Sequence, residues 1–238
     1  MQENRMHLTA RLRKIMEQVP QGARLADIGT DHALIPAALL RRGRISSAIA
    51  SDIRSGPLES ASRTAKQFHL EDRISLRLGA GLEKVSPEEA DTIIIAGMGG
   101  ETIAQILTDD AWALRGEHLL LLQPMTAKAE LRQYLAAHGA AIEKEVLCEE
   151  GQRMYTILCV RGGGEPVNKS LSACCISDAM LSDPLAGKYI HKLLTREQKI
   201  CLALEHAKQQ KPEELQLHRE NVQVLTQALT QIEKSETI

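Results

Sequence analysis

Short apolar runs alternate with amphipathic helical segments from Arg24 to His138, and this rhythm restricts the fold more than any other feature of the sequence. The runs are rich in branched aliphatic residues, which is typical of strands that are buried on both faces. Because helical segments follow most of these runs, the strands are predicted to lie parallel in one sheet with helices on both faces. The predicted strands are RLADI, SAIASD, RISLRLG, DTIIIAG and HLLLLQP.

Helical periodicity precedes and follows these strands. The first predicted helix has Leu8, Leu12, Ile15 and Val19 on one face and ends at Pro20. The helices that follow the strands are predicted to begin near Ala33, Gly56, Glu101 and Lys128.

The pattern changes after the last of these helices. Residues 140–163 contain two strand-like runs around Glu150-Gly151 with no helix between them, which predicts an antiparallel hairpin in the otherwise parallel sheet. The segment RGGGEPVN, residues 161–168, is predicted to be a linker. We therefore predict a first domain over residues 1–165 and a second domain over residues 169–238.

The second domain is predicted to be a helical hairpin. Thr195–Gln198, TREQ, fits a capping box, so one helix is predicted to begin there. Pro212 suits the first turn of the next helix. Apolar residues in both segments follow 3-4 spacing, which predicts an antiparallel coiled-coil-like pair across a short turn. Because such a pair is too short to be stable alone, it is predicted to pack on another part of the chain.

Charge and cysteine content restrict the compartment and the partners. No apolar run is long enough to span a bilayer, and the N-terminus lacks the apolar segment of a signal peptide, so a cytoplasmic protein without membrane contact is expected. Five cysteines form no CxxC pair and no zinc-like spacing, so reduced thiols and no metal are expected. The net charge is −2, yet residues 1–77 are basic, which permits an anionic partner. The oligomeric state is left open, and a monomer is compatible with the sequence.

The stretch RLADIGTDHALIP, Arg24 to Pro36, resembles the first turn of a nucleotide-binding fold but keeps only Gly29 of the usual glycines. Asp31 in this turn would repel a pyrophosphate, so NAD and FAD are disfavoured. A cationic ligand without phosphate would be favoured by Asp27 and Asp31, and S-adenosylmethionine has this chemistry. Asp52 ends the next predicted strand, where an acid holds the hydroxyls of a ribose in such folds.

Two further glycine-rich turns follow predicted strands. GAGLE, residues 79–83, follows the third strand, and GMGGE, residues 97–101, follows the fourth. The segment LQPM, residues 122–125, follows at the end of the fifth strand. Because the carboxyl ends of parallel strands share one edge of the sheet, these turns are predicted to converge on one site.

These motifs, LADIGTDHALIP, GAGLE, IAGMGG and LQPM in that order, resemble the bacterial tRNA (adenine(22)-N1)-methyltransferases of the TrmK type. The segment DPLAGKYIHKLL and the helical hairpin after it resemble the C-terminal domain of that family. The resemblance implies a class I methyltransferase fold, which is a doubly wound Rossmann-like sheet with strand order 3-2-1-4-5-7-6 and a coiled-coil-like second domain. It also implies S-adenosylmethionine as cofactor and tRNA as the partner that is methylated.

The predicted site follows from the motifs and the resemblance together. Asp31 is the candidate catalytic residue, since a carboxylate near the target adenine could accept a hydrogen bond from its exocyclic amine. His32 is assigned to the cofactor, although it could instead cap the following helix. Backbone N–H groups of Ala80 or Gly81 are expected to read the adenine of the cofactor. The predicted cofactor residues are Asp27, Gly29, Asp31, His32, Asp52, Ile53, Ala80, Gly81, Gly97 and Met98, and the predicted substrate pocket is Gly99, Gly100, Gln123 and Pro124.

RNA contacts are predicted on the outward face of the first helix, which carries Arg11, Arg13 and Lys14, and at Arg54. The side chains of Arg11, Arg13 and Lys14 are expected to face away from the cofactor cleft, and the helical hairpin is expected to add Lys188 and Lys192. Two other functions stay open: a methyltransferase for another RNA or a small metabolite, and a non-catalytic module that binds S-adenosylmethionine or RNA. The presence of both Asp27 and Asp52 argues against the non-catalytic module.

Overall fold

A computed structural model describes residues 6–207, 209 and 211–236 of the chain. Five parallel strands come first in the chain, and a hairpin of two long strands follows. Helices follow the first, second, fourth and fifth strands, as the sequence predicts, whereas a short 3-10 turn separates the third strand from the fourth. The strands are β1 Leu25–Ile28, β2 Ala48–Asp52, β3 Ile74–Leu78, β4 Thr92–Met98, β5 Leu119–Pro124, β6 Ala141–Glu150 and β7 Arg153–Arg161. The helices are α1 Ala10–Gln18, α2 Leu34–Arg41, α3 Ser55–Gln67, α4 Gly100–Asp109, α5 Lys128–Ala137, α6 Ala186–Glu205 and α7 Pro212–Glu236. Short 3-10 turns lie at Pro87–Glu89, Ala111–Leu114, Ser172–Cys174 and Asp178–Met180.

The seven strands form one sheet in the order β3-β2-β1-β4-β5-β7-β6. Strands β1 to β5 pair in parallel, whereas β7 runs antiparallel to both β5 and β6. The predicted fold class is thereby confirmed. Strand order reverses between β1 and β4, so the carboxyl ends of the central strands open a crevice at that point.

Two apolar cores lie on opposite faces of the sheet. One includes side chains of α1, α2 and α3, and the other includes side chains of α4 and α5. Central strands contribute to both, and Ile93, Ile94 and Ile95 of β4 are fully buried. This double burial explains why the central strands read as continuous apolar runs.

The C-terminal helices form a third core with the sheet's antiparallel edge. Leu147 of β6 and Met154 of β7 pack with Tyr189 and Ile190 of α6 and Leu225 of α7. The predicted helical hairpin is therefore present and packs on the rest of the chain.

The predicted start of α6 at Thr195 is wrong, because this helix begins at Ala186 and continues through Thr195. The Thr195 hydroxyl donates to the carbonyl of His191 one turn earlier, at 2.9 Å, rather than capping a helix. The capping-box pattern also occurs inside helices, where serine and threonine return a hydrogen bond to the preceding turn.

A buried ion pair joins α5 to the hairpin strand β6. The Arg132 guanidinium donates to both carboxylate oxygens of Glu145, at 3.1 and 2.6 Å. It also donates to the carbonyls of Cys174 and Cys175, and the hydroxyl of Ser177 donates to Glu145. The segment that leads into the C-terminal helices is thus tied to the sheet through one charge pair.

Within the described part of the chain, no helix is long and apolar enough to cross a membrane. The described residues also contain no group of three or more His, Cys, Asp and Glu side chains placed to hold a metal ion.

Candidate active site

The turn after β1 contacts the ends of the neighbouring strands β2 and β4. Gly29 has a φ of +73°, and its N–H donates to the carbonyl of Ser51 in β2 at 2.8 Å. A Cβ atom on Gly29 would lie 2.1 Å from the Cε atom of Met98. Glycine is therefore favoured here by the positive φ, while the Met98 methyl group is the end of a flexible side chain that packs over the turn.

Asp27 is buried at the end of β1 and is held by the turn that follows. Its carboxylate accepts from the Thr30 hydroxyl at 2.6 Å, and the Thr30 oxygen accepts from the N–H of Ala33 at 3.2 Å. Burial raises the pKa of Asp27 to about 6, with a smaller raising effect from Asp52 and an opposing effect of the Thr30 hydrogen bond. A buried carboxylate with this pKa would be stabilised by a cationic ligand group. Thr30 was missed by the sequence analysis.

Asp52 is the second buried carboxylate, at the end of β2. It accepts from the N–H of Arg54 at 2.9 Å, and the Nε atom of Arg54 lies 3.7 Å away. Its other oxygen has no hydrogen bond to a described residue, so it can accept from a ligand. The two acids lie close enough for the charge of Asp52 to act on the pKa of Asp27.

Two large apolar side chains lie exposed beside Asp52. Ile53 is 68% exposed and Leu78, which pairs with Asp52 across the sheet, is 57% exposed. Exposed aliphatic groups at the end of two neighbouring strands are suited to contact a flat apolar ligand such as an adenine ring. Ile53 was predicted in the site, whereas Leu78 was missed because it looked like an ordinary strand residue.

The turn after β3 places Ala80 and Gly81 at the same edge. Gly81 has a φ of +50°, and a Cβ atom there would lie 3.1 Å from the side chain of Ile106. The N–H of Ala80 donates to the Glu83 carboxylate at 3.3 Å. Of the two amides expected to read adenine, that of Ala80 is therefore already hydrogen-bonded within its own turn.

The turns after β4 and β5 are joined by two backbone hydrogen bonds. The N–H of Met125 donates to the carbonyl of Met98 at 2.7 Å, and the N–H of Gly100 donates to the carbonyl of Thr126 at 2.9 Å. A Cβ atom on Gly100 would lie 2.2 Å from the backbone oxygen of Ala127. The predicted pocket residues Gly99, Gly100, Gln123 and Pro124 are thereby brought to one corner of the site.

Arg11 corrects the predicted direction of the first helix. Its guanidinium donates to Oε1 of the fully buried Gln123 at 2.7 Å, and it lies 5.7 Å from the centre of the Tyr155 ring. The same guanidinium lies 3.7 Å from where a Cβ atom of Gly97 would be. The prediction that Arg11 faces away from the cleft is wrong, because the side chain is long enough to reach back across the sheet edge.

The remaining predicted residues lie on the surface. Asp31 is 77% exposed and pairs at 3.3 Å with His32, so His32 does not cap α2. Lys14 pairs with Glu17, and the Arg13 guanidinium donates to the carbonyl of Leu8. These four side chains are therefore not part of the buried acid site at Asp27 and Asp52.

Comparison with known proteins places this arrangement in a family. Residues 8–158 match a family described as a methyltransferase domain. The tRNA (adenine(22)-N(1))-methyltransferase of Bacillus subtilis strain 168 is 37% identical over 185 residues, which is 78% of this chain and 77% of that protein. The chain belongs to the TrmK family of tRNA (adenine(22)-N1)-methyltransferases. The resemblance predicted from the motifs is confirmed.

Solved structures extend the likeness to the TrmK family over nearly the whole chain. The crystal structure of the B. subtilis M1A22 tRNA methyltransferase TrmK matches with a TM-score of 0.83 and 30% identity, covering 94% of this chain and all of that one. Sp1610 of Streptococcus pneumoniae, solved in complex with S-adenosyl-L-methionine, matches with a TM-score of 0.80 and 32% identity, covering 94% of this chain and 100% of that one.

Proposed function

We propose that this chain transfers the methyl group of S-adenosylmethionine to N1 of the adenosine at position 22 of tRNA. Family membership supports the reaction, and the observation that carries the cofactor is the pair of buried carboxylates, Asp27 and Asp52, at the reversal point of the sheet. The acids suit a ligand that carries an ammonium group, a sulfonium group and ribose hydroxyls, and they disfavour a pyrophosphate.

Three parts of the cofactor, the ribose, the methionine ammonium group and the adenine ring, would each contact different residues. Asp52 would accept from the ribose hydroxyls, and Asp27 would face the methionine ammonium group. Ile53 and Leu78 would hold the adenine ring by apolar contact. The backbone turns at Gly29 and Gly97 would approach the methionine part closely, because neither glycine carries a side chain.

Methyl transfer to adenine N1 needs no general base, because N1 carries a free lone pair at neutral pH. That lone pair forms the new bond to the methyl carbon, and the electrons of the carbon–sulfur bond return to sulfur. The positive charge passes from sulfur to the base, so the site must align the two atoms and tolerate a cation. Asp31 would accept from the exocyclic amine of the base and offset that charge, while Gln123 and the turn at Gly99 and Gly100 would line the pocket.

The target adenosine lies within a folded tRNA, so the base must leave its stack to reach the pocket. Gln123 is fully buried, and both ends of its amide are hydrogen-bonded within the protein, Oε1 to Arg11 and Nε2 to the carbonyl of Pro124 at 3.1 Å. It would therefore shape the pocket by holding the Arg11 guanidinium in place rather than by contacting the base.

The decisive experiment is incubation of the protein with labelled S-adenosylmethionine and unmodified bulk tRNA, followed by mapping of the methylated base. Label at N1 of adenosine 22 is expected, and a tRNA carrying guanosine at that position should take up none. Labelling of a different nucleotide, or binding of the cofactor without transfer, would contradict the proposal. Transfer to a small metabolite would do so as well.

The raised pKa of Asp27 predicts a pH-dependent cofactor affinity. Only the ionised carboxylate attracts the ammonium group, and with a pKa of about 6 roughly a tenth of the groups are ionised at pH 5. Affinity for S-adenosylhomocysteine is therefore expected to rise about tenfold from pH 5 to pH 7 and to level off above pH 7. Isothermal titration calorimetry at several pH values would measure it.

The stability of the cofactor-free protein should change in the opposite direction. Because the folded-state pKa of Asp27 lies above its ordinary value of 3.8, its stabilising contribution is complete below pH 3.8 and is lost as the pH rises through about 6.

Asp27→Asn is the control for the pH dependence of cofactor affinity, since it should bind S-adenosylhomocysteine more weakly and lose the change in affinity between pH 5 and 7. An Asp27→Asn variant with the wild-type pH profile would assign that profile to another group.

A further inference from the structure

A cleft lies between the start of α5 and the two C-terminal helices, beside the predicted substrate pocket. Its volume is about 560 Å³, and Met125, Thr126 and Lys128 form one wall. Side chains of α6 and α7 form the other walls, including Tyr189. Because Met125 directly follows the predicted pocket residues Gln123 and Pro124, the cleft begins next to the predicted substrate pocket.

Three cationic side chains of the cleft have no carboxylate partner among the described residues. Lys128 donates to the hydroxyl of Tyr189 at 3.2 Å, and Lys192 donates to the carbonyl of Gln152 at 2.9 Å. Each ammonium group therefore keeps donors for a ligand. The Arg196 guanidinium makes no hydrogen bond or ion pair with a residue that the structure describes, and it lies on the exposed side of α6.

The acids of the cleft do not offset these cations directly. Glu197 is buried and accepts from Nδ1 of His218 at 2.6 Å and from Asn221 at 3.0 Å. Glu130 lies exposed at the rim. The charge of Glu197 is thus used within the helical hairpin, and Glu130 alone faces the three cations Lys128, Lys192 and Arg196, so the open side of the cleft has a net positive charge.

The positive charge continues along α6. A neighbouring cavity of about 640 Å³ shares Lys192 and Arg196 with the cleft and adds Lys199. These three residues, at positions i, i+4 and i+7, lie on one face of the helix, where successive turns are about 5.4 Å apart. The side chains that line this cavity include no acid. We call Lys192, Arg196 and Lys199 the basic row.

The local charge agrees with a site for an anion. Burial lowers the pKa of Lys128 to about 8, and the nearby cations Arg132, Lys192 and Arg196 contribute, against an opposing effect of Glu145. A phosphate bound among these groups would relieve their mutual repulsion. A row of cations at successive helical turns matches a ligand with regularly repeated negative charges, whereas a single small anion would occupy only one of them.

We propose that the basic row and Lys128 bind the backbone phosphates of tRNA next to the target adenosine. This inference rests on the proposed function and adds the place where the RNA strand is held. It assigns the main phosphate contacts to α6 rather than to α1, where Arg11 reaches inward and Lys14 is paired with Glu17. Lys188 of α6 is paired with Glu149 and is not part of the row.

The test is the double variant Lys192→Ala/Arg196→Ala, assayed for binding of unmodified tRNA over a range of salt concentrations. Affinity is expected to fall at least tenfold at physiological salt, and the slope of log K against log salt should become shallower by about 1.5 to 2. Affinity for S-adenosylhomocysteine should stay at the wild-type value, because neither side chain belongs to the cofactor site. Thermal melting would confirm that the variant is folded.

The matched control is Arg63→Ala/Lys66→Ala on α3, which removes the same charge at the opposite edge of the sheet. This control should keep the wild-type affinity for tRNA and the wild-type salt slope. An unchanged salt slope in the α6 variant, with a wild-type protein that methylates tRNA, would overturn the phosphate site and leave the proposed function standing. A wild-type protein that neither binds nor methylates tRNA would overturn the proposed function itself.

Discussion

Replacing Arg132 with alanine is expected to lower the free energy of unfolding by about 3–5 kcal/mol. The side chain of Arg132 is 3% exposed, and that of its partner Glu145 is fully buried. The substitution removes both hydrogen bonds from the guanidinium and leaves the Glu145 carboxylate buried with the Ser177 hydroxyl as its remaining donor among the described residues. It also leaves the carbonyls of Cys174 and Cys175 without this donor. Urea unfolding at neutral pH would measure the loss.

Two variants separate the cost of an unpaired charge from the loss of an ordinary ion pair. Arg24→Ala removes an exposed pair with Asp91, at 3.3 Å, and should cost less than about 1 kcal/mol. The double variant Arg132→Met/Glu145→Leu removes both buried charges and should recover most of the stability that Arg132→Ala loses. If Arg132→Ala cost no more than Arg24→Ala, the buried pair would not be what holds the C-terminal segment to the sheet.

The sheet could be predicted from the sequence because burial on both faces leaves a strong local pattern. Ile93, Ile94 and Ile95 face cores on both sides of β4, and their apolar run is visible without a structure. The glycine turns were visible for a related reason. Gly29 and Gly97 adopt positive φ values, and such positions select glycine directly.

The parts that could not be predicted depend on contacts between distant positions. Arg11 and Gln123 are 112 residues apart, so helical periodicity gave the face of α1 but not the reach of a long side chain. Thr30 looked like a neutral turn residue until its hydroxyl was seen between Asp27 and Ala33. The start of α6 was misplaced because the pattern at Thr195 has the same residues whether it caps a helix or lies inside one.

The acid at the end of β2 should make the largest single contribution to cofactor binding. Asp52→Ala is expected to weaken the affinity for S-adenosylhomocysteine by about ten- to a hundredfold or more, since a hydrogen bond to a charged group contributes roughly 1.5–3 kcal/mol. The structural reason is that Asp52 is buried beside the exposed side chains of Ile53 and Leu78, with one carboxylate oxygen already used by the N–H of Arg54.

The effect of Asp52→Ala can be separated from a loss of folding and from a general loss of negative charge. Calorimetry would give the affinity, and the melting temperature without ligand should fall only slightly, because the side chain satisfies a single backbone N–H. Asp72→Ala removes an exposed acid just before β3 and should bind S-adenosylhomocysteine like the wild type. Asp52→Asn keeps the shape of the side chain and loses its charge, so its affinity for S-adenosylhomocysteine should lie between that of Asp52→Ala and that of the wild type. Wild-type affinity in Asp52→Ala would remove this residue from the cofactor site and leave its binding to the buried acid Asp27.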